Sequence, residues 1–272
     1  MDFVNLALRH CLLIYDQLAM SSFFDFARRG VTVLASEIVG FRNVVMRNKR
    51  AVISFSFDDF PRSAVINGAR ILEKYGVRGT FYAAGSMCKK VEDGMVYFGP
   101  SDLATLTATG HEIGCHTFSH VSVSKVAAKE LDSEIARNAS FITENLPGLV
   151  MRSFAYPYGD ISLCSTRALL RKFDSCRSTR YGLNIGRVDL GLLKAVRLYD
   201  PLIDNTGISA LIDKAIANNA WLIFYTHDVD EFRRQFGSTT TLFEGAVRAS
   251  AASQADVLTI RDAVNVILHG DK

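Results

Sequence analysis

The chain has 272 residues, of which 49% are apolar and 22% charged, a composition typical of a globular protein that buries a substantial core. The net charge of +3, without basic runs interleaved with aromatic residues, gives no indication of nucleic-acid binding. Five scattered cysteines without a C-x-x-C pair argue against a redox motif or a zinc finger and favour reduced thiols in a cytoplasmic protein. Neither a secretory signal nor a membrane span is expected from the distribution of apolar residues.

The first 50 residues differ from the rest in charge. They hold seven basic and four acidic residues, an excess equal to the whole net charge. One interpretation is a surface that approaches an anionic membrane or a pyrophosphate-bearing substrate, and the other is an ordinary solvated face. Short helices are predicted near residues 23–27 and 31–39. We therefore predict a helical extension over residues 1–48, packed on one main domain over residues 49–272.

From Arg50 onward, predicted strands and helices alternate along the chain. Residues 51–57 are rich in β-forming side chains and lead directly into Asp58 and Asp59. Further strands are predicted at residues 79–83, 112–115, 153–155, 175–178 and 221–225, and helices at residues 63–75, 101–109 and 124–145. Such alternation predicts a parallel sheet, either open or closed into a barrel.

Polar side chains that follow apolar strands are the candidates for chemistry, because sites in parallel sheets gather at the carboxyl ends of the strands. His116 and His120 are four residues apart, which would place both imidazoles on one face of a helical turn. With one carboxylate they form a metal-binding set that leaves positions for water and substrate. Such a pair on its own is more often structural or simply on the surface.

The neighbouring carboxylates Asp58 and Asp59 would repel each other at a buried strand end unless a cation or base compensates them, and the alternative is an ordinary turn pair. Arg152 could hold a carboxylate ionised, or be a surface arginine. His227 follows an apolar run that would suit a general acid, although a histidine in that position is more often structural. Tyr156 could present an amide or phenol to an oxyanion, or serve only the turn.

The order of these features resembles the polysaccharide deacetylase family, the NodB-homology group within carbohydrate esterase family 4, over roughly residues 50–268. The family's Thr-Phe-Asp-Asp-Gly motif corresponds to Ser56–Phe60. This match implies that Asp58 is the general base and Asp59 a metal ligand. The family's His-(Ser/Thr)-x-x-His motif corresponds to residues 116–120, which implies that His116 and His120 are both ligands.

Two later motifs match less closely. The family's Arg-x-x-(Phe/Tyr)-x-x-Pro-x-Gly motif corresponds to residues 152–159, with one residue fewer between arginine and proline. It implies that Arg152 orients Asp58. The Leu-x-His motif corresponds to residues 224–227 and implies that His227 is the general acid. The residues expected to contact substrate are Phe60, Tyr156, Pro157 and Tyr158.

Two departures from the family pattern stand out. Phe60 replaces a glycine, and we expect it to reshape the substrate groove. The family's Asp-x-x-Asp-Trp motif, which tunes the acid histidine, has no clear equivalent. Asp174, Arg197 and Asp200 are the candidates to replace it beside His227.

The resemblance implies a distorted (β/α) barrel of about seven parallel strands and a metal-dependent hydrolase of the N-acetyl group of an amino sugar. It implies zinc, although the ligand set also suits cobalt, nickel or iron. Because no export signal is expected, the predicted substrate is a cytoplasmic lipid-linked or nucleotide-linked precursor of surface polysaccharide, with peripheral membrane contact. The alternatives are an amidohydrolase of a non-sugar C–N bond, an inactive metal-binding or glycan-binding homologue, and a scaffold.

Overall fold

A computed structural model describes residues 40–92, 94–232 and 235–270. From Phe41 onward the chain forms one compact unit. Its strands are β1 (Asn43–Val45), β2 (Val52–Asp58), β3 (Thr80–Ala83), β4 (Val91–Glu92), β5 (Met95–Val96), β6 (Glu112–Cys115), β7 (Ser153–Ala155), β8 (Ser175–Arg177), β9 (Arg187–Asp189), β10 (Val196–Arg197), β11 (Trp221–Thr226), β12 (Asp228–Asp230), β13 (Gly237–Thr239) and β14 (Asp256–Val257). Its helices are α1 (π-helical Ala64–Ala69 continued by Arg70–Lys74), α2 (Pro100–Ala108), α3 (Ala128–Asn145), α4 (Leu163–Leu169), α5 (Asn205–Ala217), α6 (Thr240–Ala251) and α7 (Ile260–His269).

Seven parallel strands form the central sheet in the order β10-β11-β2-β3-β6-β7-β8, and the short strand β14 pairs with β2. A parallel bridge from Arg177 to Leu193 connects β8 with the segment that leads into β10. The two ends of the strand order are therefore brought towards each other. The predicted distorted (β/α) barrel of about seven strands is confirmed. Within the described ranges, no helix has both the length and the apolar character of a membrane span.

The side chains of β2 alternate between the two faces of the sheet. Ile53, Phe55 and Phe57 belong to the larger hydrophobic core, in which Phe55 and Phe57 pack against Phe243 of α6. The intervening residues Ser54, Ser56 and Asp58 are buried on the inner face. Because successive residues of a strand point to opposite faces, this register fixes which polar groups enter the barrel.

The inner face carries a second apolar cluster. Here Val52, Trp221 and Ile223 pack with one side of α7, including Ile260 and Val264. Above this cluster the inward-facing residues become polar towards the carboxyl ends of the strands. Apolar packing therefore fills one part of the barrel, while the buried ionisable residues Asp58 and Arg177 lie at the carboxyl ends of β2 and β8.

The strands predicted at residues 79–83, 112–115, 153–155, 175–178 and 221–225 are all present, with ends that agree to within one residue. The helix predicted over residues 124–145 begins four residues later, at Ala128. The predicted extension is largely outside the described residues, as are the helices predicted at 23–27 and 31–39. Its last part is described, and there β1 pairs with β9.

A buried carboxylate, Glu112, attaches α7 to the inside of the barrel. It accepts hydrogen bonds from the Thr80 hydroxyl (2.8 Å), the Ser153 hydroxyl (2.6 Å) and the backbone N–H of Arg261 (2.9 Å). The Thr80 hydroxyl in turn accepts the N–H of Ile260. Two backbone donors at the start of α7, which have no partner within the helix, are therefore satisfied by strand side chains.

Replacing Glu112 with alanine should lower the free energy of unfolding by about 3 kcal/mol, because a buried amide and two hydroxyls lose an acceptor. Urea denaturation measures the effect. Glu130→Ala, on the exposed face of α3, is the control and should change stability by less than about 0.5 kcal/mol. Equal losses in the two variants would show that Glu112 does not hold α7 in place.

Candidate metal and acid–base site

The two aspartates occupy a tight turn at the end of β2. Asp58 is the last residue of the strand, and the N–H of Phe60 donates to the carbonyl oxygen of Asp58 across Asp59. Asp59 has a φ of 55°, in the left-handed region that non-glycine residues rarely adopt. This turn sends the two adjacent carboxylates in different directions from one strand end.

Phe60 does not contact a substrate groove. Its side chain is fully buried, with ring centroids 4.3 Å from Phe98 and 5.4 Å from Phe81. The prediction that Phe60 binds substrate is therefore wrong. The turn at Asp59 places this ring in the apolar core. Burial of its large aromatic surface stabilises this position.

The histidines lie on a loop that follows β6. The prediction of a helical turn is wrong, because residues 116–120 have no helical structure, and both Thr117 and His120 have positive φ. The loop nevertheless brings the two imidazole rings to a centroid separation of 4.9 Å. The sequence spacing predicted the proximity correctly, although a different backbone path produces it.

Asp59, His116 and His120 converge on one point. One possible ligand atom from each lies within 4.8 Å of the others, and the Nε2 atoms of His116 and His120 are 3.8 and 3.4 Å from the carboxylate oxygens of Asp59. Asp59 Oδ1 is buried and has no hydrogen-bond partner in the described structure. An unsatisfied buried carboxylate oxygen facing two imidazoles is the donor set expected around a divalent cation, so these residues fit such an ion.

The hydrogen bonds around the histidines support this orientation. His116 Nδ1 lies 2.8 Å from the carbonyl oxygen of Ala155 and donates to it, which leaves Nε2 with its lone pair directed at Asp59. Burial lowers the pKa of His116 to about 3 and that of His120 to about 4, so both rings are neutral at pH 7. Burial and the adjacent charge of Asp58 raise the pKa of Asp59 well above its usual range, a cost that a bound cation would remove.

Side chains of helix α3 form hydrogen bonds with the loop that carries His116 and His120. Glu134 accepts the N–H of Ser119 at 2.6 Å and its hydroxyl at 3.1 Å. Asn138 donates to the carbonyl oxygen of Ala83 at 2.9 Å and accepts the N–H of Gly85 at 3.0 Å. The helix therefore fixes the loops that follow both β3 and β6.

Asp58 forms a buried ion pair with Arg177, which is the last residue of β8. Arg177 Nη2 donates to Asp58 Oδ1, and both side chains are almost completely inaccessible to solvent. The guanidinium also lies over the rings of Tyr82 and Tyr225, at 5.3 and 4.7 Å. Burial alone would raise the pKa of Asp58, but the charge and hydrogen bond of Arg177, together with smaller contributions from His116 and His227, hold the pKa below its usual value. Asp58 is consequently ionised at neutral pH.

The prediction that Arg152 orients Asp58 is wrong. Arg152 is largely exposed and pairs with Asp174, at 2.7 Å. Arg152 and Asp174 immediately precede β7 and β8, so they lie at the amino ends of these strands, away from the edge that carries the site. Sequence analysis missed Arg177, although a basic residue ending a buried strand at residues 175–177 was a usable signal.

His227 follows β11 at the same edge of the barrel. Its Nδ1 lies 3.1 Å from the hydroxyl of Tyr199, two residues beyond β10. Burial lowers the pKa of His227, while the charge of Asp58 acts in the opposite direction. The contact of this histidine with Tyr199 was also missed, because the two-residue strand β10 left no recognisable pattern.

In the described structure, no hydrogen bond or ion pair joins His227 to any of the residues predicted to tune it. Asp174 pairs with Arg152, Arg197 donates to the Tyr225 hydroxyl at 2.9 Å, and Asp200 accepts the N–H of Thr239 at 2.7 Å. The site therefore has a phenol beside its histidine where the family pattern has an acidic residue.

Tyr156 is wrongly predicted to line the site. Its hydroxyl contacts Thr166 and the carbonyl oxygen of Gly191, and its N–H donates to the carbonyl oxygen of Arg177. Pro157 is buried and begins a short 3-10 turn. Of the predicted substrate contacts, Tyr158 has the placement expected: it is 66% exposed and its ring centroid lies 4.4 Å from that of His120.

These features place a set of residues that fits one divalent cation beside an ionised carboxylate and a histidine, at the carboxyl ends of the barrel strands. The polysaccharide deacetylase family model matches residues 46–174, a segment that contains both aspartates and both loop histidines. The resemblance recognised from the motifs is thereby confirmed over residues 46–174, the segment that matches the polysaccharide deacetylase family model.

Two curated relatives illustrate the sequence similarity. A bifunctional xylanase/deacetylase from Pseudobutyrivibrio xylanivorans is 29% identical over 107 residues, which cover 39% of this chain and 16% of the relative. The peptidoglycan-N-acetylmuramic acid deacetylase PdaC from Bacillus subtilis is 30% identical over 112 residues, which cover 41% of this chain and 22% of the relative. The matched segment is therefore a small part of each relative.

Solved structures show the same fold. The chitin deacetylase of Colletotrichum lindemuthianum has a TM-score of 0.54 at 13% identity, covering 81% of this chain and 90% of the other. A family 4 acetyl xylan esterase from Clostridium thermocellum, solved in complex with a cobalt ion, has a TM-score of 0.56 at 16% identity, covering 79% and 91%. The barrel fold is thus shared well beyond the segment with detectable sequence similarity.

The ligand set predicts that the purified protein binds one divalent cation per chain and that a His116→Ala/His120→Ala double variant binds none, because one carboxylate alone is a weak site. Elemental analysis after dialysis against trace metal measures the stoichiometry. His269→Ala, at the exposed end of α7, is the control and should keep the cation. Unchanged binding by the double variant would contradict the assignment.

Proposed function

We propose that this protein is a metal-dependent hydrolase that removes the acetyl group from an N-acetylated amino sugar. The observation that carries this proposal is the grouping of an ionised Asp58, held by Arg177, beside the convergent set Asp59, His116 and His120. The family of residues 46–174 supports the same reaction class.

Asp59, His116 and His120 would hold the cation, and zinc suits this set, as do cobalt, nickel and iron. When bound, such an ion polarises the acetyl carbonyl and makes a water molecule more acidic. The side chains of the protein bind the ion and carry out the proton transfers. The neutral imidazoles and the unsatisfied Asp59 oxygen are already oriented for binding, so little rearrangement is required.

Asp58 acts as the general base. Its carboxylate is kept ionised by Arg177 and takes a proton from the attacking water. His227 donates a proton to the departing nitrogen, and its lowered pKa makes the protonated ring a stronger acid. Tyr199 holds the ring through Nδ1 and leaves Nε2 available for this transfer. The products are acetate and a free amine.

The predictions about the form and location of the substrate are more specific than the family assignment. A lipid-linked or nucleotide-linked precursor in the cytoplasm is part of the proposal, and so is peripheral contact with a membrane. The four described cysteines, Cys88, Cys115, Cys164 and Cys176, are free, which supports a reducing compartment. A non-sugar amide is a second candidate substrate class, and an inactive binding protein is a third possibility.

The direct test is acetate release by chelator-treated protein that has been reloaded with zinc or cobalt. The panel contains N-acetylglucosamine oligomers, a uridine-diphosphate-linked N-acetylglucosamine, acetylated xylan and a cyclic imide. We expect acetate and free amine in equal amounts from amino sugars, lost on chelation and restored by the ion. Hydrolysis of the imide alone would favour the second candidate. Bound metal without any turnover would contradict the proposal and favour a binding protein.

Arg177→Gln should lower kcat/KM by about 100-fold, because Asp58 loses the guanidinium group that keeps its carboxylate ionised. The acid limb of the pH–rate profile should move to higher pH, because the pKa of Asp58 rises when Arg177 is absent. Arg152→Gln is the matched control and should stay within about twofold of the wild type. A larger loss in Arg152→Gln than in Arg177→Gln would restore the sequence-based prediction.

Tyr199→Phe should reduce kcat by about tenfold, because one hydrogen bond that orients His227 is lost. The metal content should be unchanged. Tyr181→Phe removes a hydroxyl from a 73% exposed tyrosine and serves as the control. Activity of Tyr199→Phe equal to that of the control would show that Tyr199 does not position the acid.

A further inference from the structure

Tyr225, near the carboxyl end of β11, lies between the partners of the two acid–base groups. Its buried ring faces the guanidinium of Arg177 at 4.7 Å, and its centroid is 5.5 Å from that of Tyr199, edge to face. Arg177 pairs with the base, Asp58. Tyr199 contacts the acid, His227. One phenol ring therefore packs against the partner of the base and against the partner of the acid.

The guanidinium of Arg177 depends on the aromatic rings around it. Its Nη2 donates to Asp58, whereas Nε and Nη1 are buried and have no hydrogen-bond partner in the described structure. The faces of Tyr82 and Tyr225 contact the rest of the group. A cation is attracted to the face of an aromatic ring, and more strongly where water is excluded. A displaced Tyr225 ring would therefore loosen the group that keeps Asp58 ionised.

The hydroxyl of Tyr225 has an exposed arginine as its hydrogen-bond partner. Arg197, on the neighbouring strand β10, is paired in register with Tyr225, and its Nε donates to the hydroxyl oxygen at 2.9 Å. Although Arg197 is exposed, no ion pair joins it to a carboxylate within the part of the chain that the structure describes. Its guanidinium is instead attached to the polar end of a buried ring.

The same ring bears on the acid. The edge-to-face packing of Tyr225 and Tyr199 limits where the Tyr199 ring can lie, and the Tyr199 hydroxyl is 3.1 Å from His227 Nδ1. Where the family pattern has an acidic residue that tunes the acid histidine, this chain has an arginine, Arg197, separated from the histidine by two tyrosines.

We propose that Arg197 is a positioning residue for both proton transfers and acts through the hydroxyl of Tyr225. This inference rests on the proposed function and adds two residues that control it. The hydrogen bond fixes the Tyr225 ring, which holds Arg177 on one side and Tyr199 on the other. The base and the acid are thereby kept in place together, as proton transfer requires each group to be within hydrogen-bond reach of its reacting atom.

The test measures kcat and KM for Arg197→Met, Tyr225→Phe and their double variant. It uses metal-loaded protein and the substrate of the panel from which the wild type releases acetate fastest. Methionine keeps an apolar stem without a donor, and phenylalanine keeps the ring without the hydroxyl. We expect each single variant to lower kcat by about tenfold, with KM within about twofold and the metal content unchanged. The double variant should be no slower than either single variant, because all three lack the same hydrogen bond.

Two further variants separate this hydrogen bond from other roles of an arginine. Arg197→Gln places an amide nitrogen at the position of Nε and removes the charge, so kcat should stay within about threefold of the wild type. Arg187→Met is the matched control, because Arg187 is also an exposed arginine on a short strand, and it should leave kcat and KM unchanged.

Wild-type kcat in Arg197→Met or in Tyr225→Phe would overturn the inference and leave the proposed function intact. A loss in the double variant equal to the product of the two single losses would do the same, as would a loss in Arg197→Gln as large as that in Arg197→Met. Absence of acetate from every substrate with the metal-loaded wild type would overturn the proposed function together with the inference. Circular dichroism checks the fold, and Tyr225→Phe, which still fills the space of the ring, keeps the test decisive if Arg197→Met is unstable.

Discussion

The buried ion pair of Asp58 and Arg177 is the interaction on which the site depends. Two charges are taken out of water inside the barrel, and such a pair is stable only with close geometry and further compensation. The rings of Tyr82 and Tyr225 supply that compensation by facing the guanidinium. The pair joins β2 to β8, which are four positions apart in the strand order, so the two halves of the sheet must curve towards each other for it to form.

The ion pair also separates the functions of two adjacent carboxylates. Arg177 neutralises Asp58, whereas Asp59, turned away by its positive φ, keeps an oxygen without a hydrogen-bond partner in the described structure. The protein therefore stabilises Asp58 as an anion, whereas ionised Asp59 would be stabilised by a bound cation. Positive φ values recur at Thr117, His120 and Tyr158, which indicates that backbone strain is concentrated around the same point.

Most of the fold and part of the site could be predicted from sequence. Clear β patterns end at or just before each of the predicted acid–base and metal residues, and the rule that sites gather at strand ends was sufficient to collect them: Asp58, Asp59, His116, His120 and His227. Arg177 was missed because its partner is 119 residues away, and no local pattern reports a contact at that separation. Arg152 was chosen in its place because it corresponds to the arginine of the family motif over residues 152–159, although it precedes its strand and so lies at the opposite edge of the sheet.

Side-chain direction was harder to predict than position. Phe60 and Tyr156 lie at the expected motif positions. The turn at Asp59 buries the ring of Phe60, however, and the hydroxyl of Tyr156 forms hydrogen bonds within the core. The position of Tyr199 could not be predicted because it follows strand β10, whose two residues are too few to show periodicity. Short strands and turns with unusual φ are determined by tertiary contacts, so local sequence gave little information about them.

The central claim is that Asp58 performs proton transfer and does not hold the cation. The most direct measurement is the metal content and acetate release of an Asp58→Asn variant, measured on the same samples as the wild type. The account predicts one cation per chain with acetate release reduced by at least about 100-fold. A variant that loses the cation, or one that keeps near-normal acetate release, would contradict the account.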